Sequence, residues 1–271
     1  MPELPEVETT RRGISPFVEA QVVTQVIVRE SRMRWPIPGD LADKLIGQCI
    51  NRVSRRGKYL ILDTDIGSVL IHLGMSGSLR VVDPASSPRK HDHVDMVLAN
   101  GHCLRLHDPR RFGCVLWCDD DPLGHPLLCQ LGPEPLGEDF SGGYLYQRSR
   151  QRKMAIKSFL MDSHVVVGVG NIYASESLFM AGIAPKRAAG RVSLQRYTQL
   201  AECVREVLHK AIEKGGTTLR DFVGSQGEPG YFQQELLVYG RDKQPCRHCG
   251  ANLILTQIGQ RASVYCRRCQ T

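Results

Sequence analysis

Four cysteines near the end of the chain constrain its fold more tightly than any other feature. Cys246 and Cys249 are followed, after sixteen residues, by Cys266 and Cys269. Two Cys-x2-Cys knuckles at this distance supply four thiolates, the donor set of a closed tetrahedral zinc site. The segment between them reads as strand Leu253-Ile254-Leu255, turn Ile258-Gly259-Gln260-Arg261 and strand Ser263-Val264-Tyr265. A zinc-pinned β-hairpin with Arg261 at or near its tip is therefore expected. Four protein ligands leave no open position for substrate, so the expected single Zn2+ per chain is structural. The other cysteines, Cys49, Cys103, Cys114, Cys118, Cys129 and Cys203, lie mostly in apolar runs and read as buried free thiols of a reducing compartment.

The formal charge of +7 is unevenly spread. Lys and Arg balance Asp and Glu through residue 131 (16 against 16), whereas residues 132–271 carry 19 against 12. A basic half suggests a phosphate-rich partner, with nucleic acid the leading candidate, although charge alone suits a merely solvated surface equally well. No run of about 18 apolar residues is present to span a bilayer, and the acidic start is the opposite of a signal peptide's basic end. The expectation is a cytoplasmic protein with no membrane partner, acting as a monomer.

Hydrophobic periodicity divides the chain. Leu4, Val7 and Ile14 recur at helical spacing with acidic residues in the first turn and Gly13 as a stop. From Gln21 to about Cys118 the period is that of strands: Val22 to Val28, Tyr59 to Leu62, Ser68 to Ile71, Val94 to Ala99, Cys103 to Leu106 and Cys114 to Trp117. Asn100-Gly101 between two of these runs is a two-residue hairpin signal. The prolines and glycines of Leu131 to Gly137 break regular structure and mark a domain boundary. Beyond it, Ser193 reads as an N-cap, and Leu194, Tyr197, Leu200, Ala201, Val204, Val207, Leu208, Ala211 and Ile212 as one apolar helix face ended by Gly215-Gly216. Gly168-Val169-Gly170-Asn171 opens another helix, whose exposed amides would suit a phosphate, although a plain tight turn accounts for it too. Residues 224–234 read as a loop carrying aromatics, either a lid or a passive connection. The fold class is α+β: an N-terminal helix and an antiparallel β-sandwich (1–131), a helical domain (132–236) and the hairpin finger (237–271).

The chain opens Met1-Pro2-Glu3-Leu4-Pro5-Glu6. Trimming of Met1 would leave Pro2 with a free secondary amine, and an α-amino group of pKa roughly 7.7–8.0 is partly unprotonated near neutral pH. Such an amine can attack carbonyl-type carbon, with the carboxylates of Glu3 and Glu6 nearby to move protons. Taken alone, the same residues suit a frayed terminus leading into a helix.

In order along the chain, Pro2-Glu3-Leu4-Pro5-Glu6-Val7-Glu8-Thr9, Arg56-Gly57-Lys58-Tyr59-Leu60, His72-Leu73-Gly74-Met75-Ser76-Gly77, Asp108-Pro109-Arg110-Arg111-Phe112-Gly113, the Gly168-to-Glu176 turn-helix and the four-cysteine tail resemble the bacterial formamidopyrimidine-DNA glycosylases, end to end. That resemblance implies a helix-two-turn-helix in the helical domain and a base-excision-repair enzyme removing oxidised purines from damaged double-stranded DNA. It implies that Pro2 attacks C1′ to form a Schiff base, that Glu3 transfers the proton, and that Lys58 and Arg261 serve β- and δ-elimination. His91, Arg110, Arg152 and Asn171 match contacts to the DNA backbone, Arg152 within a basic cluster from Arg148 to Lys153 that admits a second register. Met75, Arg110 and Phe112 match residues that fill the gap left by an everted base. Without the resemblance these three read as a core methionine, a core aromatic and a surface arginine. The sister enzymes acting on oxidised pyrimidines open Pro-Glu-Gly-Pro and lack the Arg-x-Phe of Arg110 to Phe112. A noncatalytic DNA-binding protein would be marked by loss of Pro2 or Glu3, and both are present.

Overall fold

The acidic opening is a helix start. Glu3, with extended backbone angles (φ −100°, ψ −173°), is the N-cap of α1 (Leu4–Val18). The Glu6 carboxylate reaches back to accept the Glu3 N–H at 2.8 Å, satisfying one of the amides a helix start leaves open. The helix does not stop at Gly13. It continues past Pro16 because Ile14 and Val18 are fully buried, while Pro16 and its missing N–H lie on the exposed side. Tertiary packing here outweighs local propensity.

The computed structural model describes residues 1–217 and 235–271, which fall into two units. The first comprises Met1–Cys129 together with 214–217, and the second Gln130–Glu213 together with 235–271. The expected loop at 224–234 lies outside the described residues.

In the first unit two antiparallel sheets stack. One has the order β2 (Cys49–Ile50), β1 (Gln21–Val28), β7 (Asp92–Leu98), β8 (Cys103–His107), β6 (Ser78–Val82). The other runs β3 (Arg52–Arg56), β4 (Tyr59–Asp63), β5 (Ser68–His72), β9 (Cys114–Cys118). Val23, Met96, Leu104 and Leu106 of the first sheet and Val53, Leu60, Ile71 and Val115 of the second share a core with Val7, Ile14 and Val18 of α1 and with Leu41 and Leu45 of α2 (Leu41–Leu45). Alternate residues, such as Leu60 and Leu62 of β4 or Val94 and Met96 of β7, enter this core as the period-two geometry demands, while β4, β5, β7 and β8 are buried on their other face as well. The β7–β8 hairpin forms at Asn100-Gly101, but its loop is longer than two residues, because Leu98 pairs with His102 through an N–H···O bond of 2.8 Å. Strands β3 and β6 escape a sequence reading because arginines interrupt them. Only Val53 of β3, and Ser78 and Leu79 of β6, turn fully inward.

The second unit contains α3 (Gly142–Ser149), α4 (Ile156–Leu160), α5 (Asn171–Met180) and α6 (Leu194–Glu213), then the hairpin β10 (Ile254–Ile258) and β11 (Arg261–Tyr265). Helix α6 buries the expected face except Leu194, which is 49% exposed. Helix α5 is buried on nearly every side, Glu176 included, and Phe179 packs with Val238, Leu253, Val264 and Cys266 of the finger. Of the six scattered cysteines, Cys103, Cys114, Cys118 and Cys203 are buried, Cys49 is half-buried and Cys129 is exposed.

Candidate active site and nucleic-acid contacts

Pro2 and Glu3 are both buried, Glu3 to 3% exposure, while Met1 is exposed. The Glu6 carboxylate fixes this start twice. One oxygen holds the Glu3 N–H and the other accepts the Thr217 N–H at 2.8 Å, so Glu6 serves as a backbone anchor. Glu8, two residues further, is pushed up by burial, but hydrogen bonds from Arg11 and Arg12 and the charges of Arg11 and Arg55 outweigh this and hold its carboxyl at about 2. The anionic Glu8 ties α1 to Arg55 of β3 at 3.3 Å.

Lys58 occupies the two-residue turn between β3 and β4, whose closing pair is Arg56 and Tyr59. Across β4, Tyr59 pairs with His72, and their rings lie 4.7 Å apart. His72 carries no role in the sequence reading, yet it stands in the field of Lys58. Burial, with the charges of Lys58 and Arg34, lowers its imidazole to about 4. Its Nδ1 accepts the Gly74 N–H at 2.9 Å, so the neutral ring carries its proton on Nε2. A polar residue closing the apolar run Val69-Leu70-Ile71 is the sequence signal that marks it.

The loops 73–77 and 108–113 both cross from one sheet to the other, and they touch backbone to backbone. A Cβ on Gly74 would sit 2.5 Å from the Gly113 nitrogen, and one on Gly113 would sit 2.5 Å from the His72 carbonyl oxygen. Only glycine permits this approach. Half-buried Met75 follows Gly74 directly, next to the segment carrying exposed Arg110 and Phe112. The Arg110 guanidinium lies 4.9 Å from the centre of the Phe112 ring, and Phe112 is 43% exposed. Half-buried His91, with φ of 77°, leads into β7.

The second unit carries the remaining residues. Arg152 is exposed just after α3, in a turn whose carbonyl accepts the Gly190 N–H at 2.9 Å. Asn171 is the first residue of α5, and its Oδ1 is buried with no hydrogen-bond partner among the described residues. A buried polar atom without a partner is costly, and this one lies beside helix N-terminal amides that favour an anion. In the finger, Ile258 pairs with Arg261, so Gly259-Gln260 is the tip and Arg261 the first residue after it, exposed.

The four cysteine sulfurs lie within 4.8 Å of one another. Cys246 Sγ is 3.9 Å from Cys269 Sγ, and Cys249 Sγ is 3.5 Å from Cys266 Sγ. Tetrahedral zinc with Zn–S bonds of about 2.3 Å requires sulfurs about 3.8 Å apart, whereas a disulfide requires about 2.05 Å. These four residues therefore fit a structural Zn2+. Two buried charges dock the finger on the helices. Glu176 accepts the backbone N–H groups of Leu237, Val238 and Tyr239 at 2.7–3.0 Å, and Lys157 donates to Ser263 Oγ at 2.7 Å and the Ala262 carbonyl at 3.2 Å.

Residues 1–115 match the formamidopyrimidine-DNA glycosylase N-terminal domain, and residues 131–223 match the formamidopyrimidine-DNA glycosylase H2TH domain. The formamidopyrimidine-DNA glycosylases of Stutzerimonas stutzeri and Syntrophotalea carbinolica are 62% and 60% identical over 270 residues, with both chains covered in full. Among solved structures, the MutM (Fpg) protein of Thermus thermophilus superposes with a TM-score of 0.89 at 36% identity, covering 99% of this chain and 98% of that one. A Lactococcus lactis Fpg mutant in complex with Fapy-dG-containing DNA gives 0.93 at 33% identity, with both chains fully covered. The buried Pro2–Glu3 start, the sandwich, the turn-helix and the four-thiolate hairpin agree with these matches along the whole length, and the chain belongs to the formamidopyrimidine-DNA glycosylase family.

Proposed function

We propose that this chain is a bifunctional base-excision-repair enzyme of the bacterial cytoplasm, acting as a monomer. It excises 8-oxoguanine and ring-opened formamidopyrimidines from duplex DNA and then cuts the strand at the abasic sugar. The observation that carries this reading is that Pro2 and Glu3 are buried and pinned through Glu6, where an ordinary chain start would fray. Lactococcus lactis relatives have been crystallised with Fapy-dG and with abasic-site DNA.

Once Met1 is removed, the Pro2 amine attacks C1′ while Glu3 supplies the proton and the bond from C1′ to the base breaks. The sugar opens to an iminium. That cation acidifies C2′; loss of the C2′ proton expels the 3′ phosphate, and a second elimination expels the 5′ phosphate. Lys58 and Arg261 meet the departing phosphates as cations. C1′ is out of reach in a stacked duplex, so the nucleotide must be everted at a cost of a few kcal/mol. Met75 and Phe112 fill the space it leaves, and Arg110 donates to the acceptors of an orphaned cytosine. His91, Arg110, Arg152 and Asn171 contact the backbone. In this division of labour residues 1–131 carry the nucleophile, the proton donor and Lys58, 132–236 the helical DNA grip, and 237–271 the zinc finger with Arg261.

The test is excision on duplexes that differ only in the lesion and its partner. 8-Oxoguanine should leave readily opposite cytosine and poorly opposite adenine. Equal excision from both pairs, or a preference for thymine glycol, would overturn this assignment.

A further inference from the structure

We propose that Asp108, braced by His93, is the positioning residue that locks Met75, His91, Arg110 and Phe112 into one frame. The inference rests on the gap-filling roles just given. Asp108 is fully buried, and its polar groups bond within its own loop and to the start of β7. Its N–H donates to the His91 carbonyl at 3.0 Å, and its own carbonyl accepts from Arg111 N–H at 3.2 Å and from His93 Nε2 at 2.8 Å. One carboxylate oxygen accepts the Arg110 N–H at 3.2 Å, and the other accepts the Gly113 N–H at 2.8 Å. The two side-chain bonds therefore bracket Phe112. Gly113 in turn abuts Gly74, the residue before Met75.

Backbone strain gives an independent sign that this frame is imposed. His91 and Arg111 both adopt left-handed angles, φ 77° and 56°, which non-glycine residues hold only where surrounding contacts over-determine them. Asp108 bonds to the backbone of each. Burying a carboxylate is costly, and asparagine could not replace it evenly. Its amide has one acceptor oxygen, so its NH2 would face one of the two backbone N–H groups.

The test compares wild-type enzyme with Asp108→Asn and His93→Leu in single-turnover excision of 8-oxoguanine. One duplex places cytosine opposite the lesion, and a second places an abasic analogue there, leaving no pair to break and no orphaned base to hold. Wild-type enzyme inactive on the cytosine duplex would sink the functional reading itself, whatever the variants do. With wild type active, Asp108→Asn should lose about tenfold or more opposite cytosine, and less than about threefold opposite the abasic analogue. His93→Leu should show the same pattern more weakly, and it carries the test by the same criterion if Asp108→Asn fails to fold. In an Arg110→Ala background Asp108→Asn should add little, as for residues acting as a unit. Equal losses on both duplexes with an unchanged melting temperature, or no loss on either, would overturn the proposal.

Discussion

At the scale of single residues, the first turn separates two tasks. In the proposed mechanism Glu3 delivers a proton when a base leaves, whereas cutting an already abasic sugar needs only the amine and acidity at C2′. Glu3→Gln keeps the shape but not the proton. It should lower 8-oxoguanine excision by at least about a hundredfold, the usual scale of general acid catalysis, while leaving much of the nicking at preformed abasic sites. Parallel loss of both activities would remove Glu3 from that role. His72 offers a pH test. Its imidazole is lowered to about 4 by burial and by Lys58 and Arg34, so between pH 6.5 and 4 the unfolded chain binds the extra proton. Stability should therefore be fully present above about pH 6.5 and fall as pH drops through that window, by about 1–2 kcal/mol at pH 5. Denaturant titrations at pH 7 and pH 5 should show this for wild type and a flatter response for His72→Gln. Pro2 and Glu3 could be proposed from residue type and position, and the structure adds that both are buried. The roles of His72 and Glu6 could not be read that way, since they arise from a cross-strand pair and from a bond to Thr217.

Among the elements, the finger depends on two supports that only the folded chain brings together. The knuckle spacing reveals the metal site in the sequence, and register then fixes Arg261 just after the Gly259-Gln260 tip. The docking charges were hidden, because Glu176 looks like one more polar residue of a turn-helix until its three backbone partners are seen. Removing Zn2+ with a chelator should melt the finger and weaken DNA binding, since structural zinc contributes folding free energy directly. Glu176→Ala should release zinc at lower chelator concentration, because it strands three N–H groups at the finger's root. Elemental analysis finding less than about half a zinc per native chain would contradict the metal assignment. Helix α1 shows the opposite limit. Gly13 reads as a stop, and buried Ile14 and Val18 carry the helix past it and past Pro16.

At the scale of the whole molecule, the excess of basic charge belongs to residues 132–271, and binding to undamaged duplex should weaken steeply as salt rises, because each phosphate contact releases counterions. A flat salt response would mean that this charge faces only water. The broad order of sandwich, helices and finger was readable from the change of hydrophobic period. The return of 214–217 to the first unit was not, because the Thr217–Glu6 bond spans 211 residues of sequence. In the proposed mechanism the nucleophile is the chain's own N-terminal amine. Borohydride added while the enzyme turns over 8-oxoguanine DNA should reduce the iminium and fix protein to DNA, and peptide mapping should find the crosslink on Pro2. A crosslink on Lys58, or no trapping by an enzyme that cuts its substrate, would contradict it.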